Sequence, residues 1–224
     1  MLAAMDPDRI AALLAPFMGC EPVSASLAAQ LQAYLDLLLR WNARINLTAV
    51  RDPEEIITRH FGESLFAARV LRDAGAFAST AGVAPTLGDV GSGAGFPGIP
   101  IKLFAPELRL TLVEAQNKKA TFLREVIRTL GIEGAEIYGG RAENWNQRAA
   151  IVTMRAVEKF ERVLPVTAAL VAKGGILCLL IGDGQTESAQ QGLGSEWRFS
   201  PAVPIPDSDG RVVLMGKNIA GESA

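Results

Sequence analysis

The chain is poor in the residues that build metal and redox chemistry, with one histidine and two cysteines among 224 residues. Cys20 and Cys178 lie far apart, and Cys178 sits inside the apolar run GGILCLLIG. No zinc ligand set can be assembled from these residues. Both thiols read as reduced and structural, as expected of a cytoplasmic protein. An excess of either charge is missing too. Lys and Arg total 22 against 24 Asp and Glu, for a net charge of −2. Any nucleic-acid binding must therefore rest on a local patch. No run reaches the ~20 apolar residues of a membrane span. The opening stretch, MLAAMDPDRIAALLAPFMGC, carries Asp6, Asp8 and Arg9 rather than the basic leader of a secretory signal. Asp6 before Pro7 reads instead as a helix N-cap with proline in the first turn. Internal repeats and low-complexity segments are absent.

What is present is an ordinary globular balance, 49% hydrophobic and 21% charged. The length suits one domain with a smaller appendage. The texture changes near residue 85. Residues 1–84 have helical spacing, with Leu27, Leu31, Tyr34, Leu35 and Leu38 on one face of SLAAQLQAYLDLLLRW. Asp52, Pro53 and Glu55 form a capping pattern that opens PEEIITRHFGESLFAARVL. In residues 85–224 short β-type runs (TLGDV, LRLTLVEA, AEIYGG, AIVTM, GILCLLI) alternate with helical stretches starting near Pro97, Asn117, Asn144 and Glu158. That alternation predicts βαβ units and a parallel sheet covered by helices. In the tail, EWRFSPAVPIP and GRVVLMGK are joined by the turn DSDG and should pair antiparallel.

The densest signal is LGDVGSGAGFPGIPIK, starting at Leu87. Glycines between a strand and its helix expose backbone N–H groups and let a ligand approach. A Walker loop needs Gly-Lys-Ser/Thr, and Lys102 comes too late. The dinucleotide fingerprint G-x-G-x-x-G is met by Gly91 and Gly93 but has Phe96 in third place, so an NAD-dependent oxidoreductase stays an alternative.

Asp89, Gly91 and Gly93 as D-x-G-x-G resemble the first motif of class I S-adenosylmethionine-dependent methyltransferases. In that setting the acid helps hold the loop and the methionine amino group. Glu114, 23 residues after Gly91, ends the next strand where a carboxylate accepts hydrogen bonds from both ribose hydroxyls. Ala142 and Glu143, in GGRAENW, fall where such enzymes grip the adenine. RWNARINLTAVRDPEEIITRH together with DVGSGAGFPGIPIK, GRAE and MRA resembles, from about Arg40 to Val157, the ribosomal RNA small subunit methyltransferase G family, also called glucose-inhibited division protein B.

The resemblance implies an α/β fold: a class I, Rossmann-like, mostly parallel sheet with an antiparallel last strand and an N-terminal helical extension. It also implies S-adenosyl-L-methionine as cofactor and methylation of N7 of one guanine in 16S rRNA of the small ribosomal subunit. Gly91, Phe96, Ala142, Glu143 and Arg155 match its cofactor-contacting positions. Three features depart from it. Glu63 stands where the family usually has Asp, Ile181 where a lysine commonly precedes glycine at the end of the fifth strand, and the usual basic character of the last strand is thinned in RVVLMGK. These departures are expected on the RNA side, leaving the cofactor side intact. A non-catalytic rRNA-binding protein is the third reading, and a monomer without metal is expected.

Guanine N7 has a lone pair and no proton to lose, so the transfer needs positioning rather than a general base. Consistent with that, IVTMRAVEKF has neither the Asn/Asp-Pro-Pro-aromatic motif of exocyclic-amine enzymes nor a Pro-Cys nucleophile. Arg155 occupies that edge, either orienting the cofactor carboxylate or an RNA phosphate, or ion-paired with Glu158 or Glu161. Candidate RNA contacts are Arg40, Arg44, Arg51 and Arg59 in the N-terminal half, and Lys118, Lys119, Arg124 and Arg128 after Glu114. Either group can equally be a solvated face. His60 reads as a buried, hydrogen-bonded histidine, Trp41 and Trp145 as packing residues, and Asn42 with Asn46 as a facing pair or a helix cap. Pro97 should pre-set a helical turn that places Phe96 against a bound cofactor.

Overall fold

Side-chain caps decide where the N-terminal helices begin. The computed structural model describes residues 5–79, 82–155 and 159–221. Asp6 accepts from the amide of Asp8 at 3.1 Å and opens α1 (Pro7–Met18). Ser24 does the same for Leu27 at 3.1 Å and opens α2 (Ala25–Asn42). Asp52 accepts from the amide of Glu55 at 2.8 Å and opens α3 (Pro53–Ile56). The five apolar residues predicted on one face of α2 are all buried. From α3 the chain runs on without a break through a π-helical stretch, Ile57–Gly62, into α4 (Glu63–Asp73). The sequence gives no sign of that wider turn, which is a form frequent at functional sites.

After residue 85 strands and helices alternate as expected. The strands are β1 (Thr86–Val90), β2 (Arg109–Val113), β3 (Ala135–Tyr138), β4 (Ala149–Arg155) and β5 (Val171–Gly182). Between and after them come α5 (Gly98–Phe104), α6 (Asn117–Leu130), α7 (Phe160–Ala169) and α8 (Thr186–Leu193). Glu158, near the expected start of α7, lies outside the described residues. The helix expected near Asn144 is instead a single 3-10 turn, Ala142–Asn144. Only residues 145–148 separate that turn from β4, too short a stretch for a helix. Trp145 is buried there against Gly88, where a Cβ would come within 2.7 Å of the indole.

The tail forms β6 (Trp197–Phe199), β7 (Val203–Pro204) and β8 (Arg211–Asn218). β6 and β7 both pair antiparallel with β8, as expected of segments joined by a tight turn. The sheet runs β3-β2-β1-β4-β5-β8-β6. β1 to β5 are parallel, and β8 is inserted antiparallel beside β5. β1 lies between β2 and β4, so the chain leaves it in opposite directions and opens a crevice at the carboxyl ends of the strands.

One face of the sheet carries α5, α6 and the N-terminal helices in a single apolar cluster that includes Leu31, Tyr34, Phe61, Ile99, Leu112 and Phe122. Trp41 touches Phe122 at 5.7 Å between ring centres, joining α2 to α6 as the packing reading of Trp41 expected. The other face is covered by α7, α8 and Trp145. Among the described residues, no helix is long and apolar enough to cross a membrane.

Candidate active site

The crevice is organised by the turn after β1. Gly91, Gly93 and Gly95 all have positive φ, at 68°, 58° and 91°. An L side chain is strained in that region, which is why the turn is written in glycine. Gly91 and Ser92 donate to the carbonyl of Val113 at 3.0 and 3.2 Å. Glu114 then locks the turn from the neighbouring strand. Its Oε2 accepts from the amide of Gly93 at 2.9 Å and its Oε1 from the amide of Gln116 at 2.7 Å. One carboxylate thus fixes both the glycine turn and the entry to α6.

Asp89 lies beneath the turn and is fully buried. Its Oδ1 accepts from Thr153 Oγ1 at 2.8 Å, and its backbone carbonyl accepts from Ser92 Oγ at 2.8 Å. Its Oδ2 has no hydrogen-bond partner among the described residues. Burial is the main cause that pushes this carboxyl up to about 6. Gly98 is the reason the carboxyl fits, since a Cβ there would lie 2.8 Å from Oδ2.

Two hollows flank the turn and share Gly91. The first, of about 340 Å³, is lined by Gly91, Val113, Glu114, Ala142, Glu143 and Val163, with Arg141, Lys159 and Arg162 also on its wall. The second, of about 600 Å³, is lined by Gly91, Gly93, Phe96, Thr48, His60 and Arg155, with Arg51, Arg59, Lys119 and Arg211. Phe96 is a fixed wall of it. The ring stacks on Tyr34 at 5.5 Å, meets Phe61 edge-on at 5.0 Å and lies 5.1 Å from His60. Tyr34 in turn donates from its hydroxyl to the carbonyl of Ala94 and so ties α2 to the turn. Pro97 caps α5, which starts at Gly98.

Behind the second hollow lies a charged cluster that the sequence did not announce. Of the two partners expected for Arg155, Glu158 lies outside the described residues, and Glu161 is exposed and not paired with it. The partner of Arg155 is Glu63, at 3.1 Å, and the same Glu63 Oε2 takes Arg211 at 2.5 Å. Arg155 Nη2 also donates to the carbonyl of Arg59 at 2.7 Å and meets His60 Nδ1 at 3.1 Å. Burial foremost lowers the Arg155 guanidinium to about 10. Burial, then the facing Arg155, Arg59 and Arg211, pushes His60 down to about 3, so its ring is neutral.

Glu63, 2% exposed, and Ile181, 6% exposed, are interior residues. For these two departures the expectation of a place on the RNA side is therefore corrected. Glu63 orders the cluster from inside, and Ile181 packs in the core beneath α7 and α8. Thr48, His60 and Arg211 were not read from the sequence as members of this cleft. Asn42 and Asn46 do not face one another. Asn42 closes the end of α2, accepting from the amides of Leu47 and Thr48 at 2.9 and 3.0 Å and donating to the carbonyl of Thr48 at 3.0 Å.

Comparison with known proteins adds the family. The model of rRNA small subunit methyltransferase G matches residues 27–200. The small subunit methyltransferase G of Xanthomonas campestris pv. campestris (strain 8004) is 38% identical over 212 residues, covering 93% of this chain and 94% of that one. The chain belongs to this family. The methyltransferase G of Stenotrophomonas maltophilia (strain K279a) is 35% identical and covers 89% of each chain. The ribosomal protein L11 methylase of Lactobacillus delbrueckii subsp. bulgaricus shares the fold, with a TM-score of 0.55, 15% identity and coverage of 70% of this chain and 79% of that one. The architecture is that of class I S-adenosylmethionine-dependent methyltransferases.

As a member of the methyltransferase G family, the chain offers a donor set suited to S-adenosylmethionine. The first hollow joins an apolar wall (Val113, Ala142, Val163) to the carboxylate of Glu114. The positive-φ glycines leave the backbone bare between the two hollows. The basic residues fall into place around the second. Lys119, Arg51 and Arg59 are on its wall, while Lys118 at the start of α6 is exposed. Arg40 and Arg44 are exposed at the end of α2, and Arg124 and Arg128 are exposed along α6. The second hollow thus takes Arg51 and Arg59 from one basic group and Lys119 from the other.

Proposed function

We propose that the protein transfers a methyl group from S-adenosylmethionine to N7 of a guanine in 16S rRNA of the small ribosomal subunit, acting in the cytoplasm as a monomer. The carrying observation is the glycine turn locked by Glu114 between two hollows, one with an apolar wall and the carboxylates of Glu114 and Glu143 beside Arg141, Lys159 and Arg162, the other with five Lys and Arg side chains beside Asp52 and Glu55. When bound, the cofactor supplies a methyl group on a positively charged sulfur. Gly91, Gly93, Glu114, Ala142 and Glu143 would hold it from the turn and the first hollow, while Asp89, buried beneath the turn, would support the glycines rather than touch it. Phe96 and Arg155 would border it from the second.

The rest of the chemistry is alignment. An in-line displacement is favoured when donor and acceptor are held at the correct angle and distance. N7 keeps no proton that must be removed, so no residue has to act as a base. His60, neutral and bonded on both nitrogens, is suited to structure rather than to proton transfer. RNA would enter over α6 and the end of α2, its phosphates met by Lys118, Lys119, Arg40, Arg44 and Arg59. The dinucleotide alternative is not favoured by any observation, since Phe96, in the third fingerprint position, is a packed wall.

The test is incubation of the protein with unmodified small subunits and cofactor carrying a labelled methyl group, followed by mapping of the labelled base. Label at N7 of a single guanine is the expected outcome. Label at another atom would replace the stated target, and subunit binding without label would identify a binding protein instead of an enzyme.

A further inference from the structure

Tyr34 is one of two tyrosines in the chain, and its hydroxyl is turned into the core rather than to the surface. The residue is fully buried, and a buried hydroxyl needs a hydrogen-bond partner. That partner is the carbonyl of Ala94, 60 residues further on, in the middle of the glycine turn. Burial foremost, then the charge of Asp89, pushes the Tyr34 pKa well above the usual tyrosine value, so the hydroxyl keeps the proton it donates. The peptide that carries this carbonyl is held at its other end too, because the amide of Gly95 donates to the carbonyl of Ser92 at 2.6 Å. Gly95, at φ 91°, has no room for a side chain: a Cβ would run into the Tyr34 hydroxyl and come within 2.6 Å of Ile99. The ring of Tyr34 makes a second contact with the turn. It lies nearly parallel to Phe96, with 7° between planes and 5.5 Å between centres, and Phe61 closes on it edge-on at 5.1 Å. Ala94 and Phe96 both line the 600 Å³ hollow, and Tyr34 backs both of them from α2.

We propose that Tyr34 is a positioning residue for the methyl donor, holding the Ala94 carbonyl with its hydroxyl and Phe96 with its ring so that the glycine turn is shaped before the donor binds. The inference rests on the reading above that this turn seats S-adenosylmethionine. It makes the N-terminal helices a part of the cofactor site rather than an appendage to it. Without the hydroxyl, the Ala94 carbonyl has no donor among the described residues, and an unpaired buried carbonyl gains by turning toward water. Apparent affinity for the donor then falls with the fraction of molecules that still hold the turn in its binding shape. A side chain that only filled the core would change stability and leave the affinity of the folded protein as it was.

The test compares Tyr34→Phe, which keeps the ring and loses the hydroxyl, with Ile10→Val, a small deletion on α1 in the same apolar cluster. Both variants should unfold at a lower urea concentration than the wild type. Calorimetry with S-adenosylhomocysteine should separate them. Affinity should weaken about tenfold in Tyr34→Phe, the worth of one hydrogen bond, and stay unchanged in Ile10→Val. In methyl transfer to small subunits, the KM for S-adenosylmethionine should rise by about the same factor in Tyr34→Phe, with the KM for subunits unaltered. Wild-type affinity in Tyr34→Phe would make Tyr34 a packing residue and overturn the proposal, and so would an equal loss in Ile10→Val.

Hydrogen exchange on the wild type decides the matter should Tyr34→Phe not fold. The Gly95 amide should already exchange slowly in the free protein, and protection that appears only after S-adenosylhomocysteine is added would mean that the turn forms on binding, against the proposal. Gly91→Val separates this failure from that of the reading beneath it. If that variant binds S-adenosylhomocysteine as the wild type does, the turn is not the seat and the proposed function loses its carrying observation. If it binds none while Tyr34→Phe binds normally, the positioning role of Tyr34 alone falls.

Discussion

Glu63 shows how much one side chain can carry without touching solvent. It is 2% exposed and faces two guanidinium groups with a single oxygen. Burial raises its pKa while Arg155, Arg211 and Arg59 lower it, so the charged form persists only because of those partners. Breaking a buried pair leaves an uncompensated charge and costs about 3 kcal/mol or more. Glu63→Gln should therefore lower the unfolding free energy by about 3 kcal/mol in urea titration. Glu63→Asp, which keeps the charge at a shorter reach, should cost less. A Gln variant within about 0.5 kcal/mol of wild type, the range of an ordinary surface change, would mean the cluster is not ionised as described. None of this was legible in the sequence, because Glu63 and Arg155 are 92 residues apart and spacing carries no information at that range. Glu114 was legible, since its place at a strand end follows from the alternation itself. What could not be read is that its carboxylate already holds the amides of Gly93 and Gln116.

At the scale of elements the sequence was most informative where a local cause dominates. The caps at Asp6 and Asp52, the buried face of α2 and the parallel alternation all follow from short-range chemistry. The π-helical stretch Ile57–Gly62 does not; it sets Phe61 edge-on to Phe96 and Gly62 close against Phe17, contacts that are remote in sequence. The helix expected near Asn144 failed for a related reason: Trp145 is drawn into the core against Gly88, and the segment has no length left. The glycine turn yields the sharpest element-scale expectation. At Gly91 φ is 68°, and a β-branched side chain would be strained there while projecting between the hollows. Gly91→Val should abolish S-adenosylhomocysteine binding by calorimetry; unchanged affinity would show that the turn is not the cofactor seat. α6 gives a second. Each phosphate contact on single-stranded RNA adds about 0.7 to the slope of log affinity against log salt. Replacing Lys118 and Lys119 by alanine should reduce that slope by about 1.4, and an unaltered slope would take the start of α6 off the RNA path.

The whole molecule balances two buried groups of opposite acid response. Burial foremost, then the facing Arg155, Arg59 and Arg211, hold His60 at about 3, against about 6.5 in an unfolded chain. Between those values the unfolded chain binds a proton that the fold refuses. Stability from this group is present above about pH 6.5 and is lost as pH falls toward 3, by up to about 1.4 kcal/mol per pH unit. Asp89 acts in the reverse sense. Burial raises it to about 6, against about 3.9 when unfolded. The fold takes up that proton first, and stability is gained as pH falls from 6 toward 4. From pH 6 to 4 the two slopes oppose one another, and below about 4 only His60 remains to destabilise. The wild type should therefore change little in urea midpoint across pH 6 to 4 from these two groups, and then weaken. His60→Gln removes one side of the balance. The stability difference between wild type and this variant should shift against the wild type by about 1.4 kcal/mol for each pH unit below 6.5. The same difference measured at pH 7, 5.5 and 4 checks the sign directly, and a constant value would mean that His60 titrates normally and that the arginine cluster does not act on it.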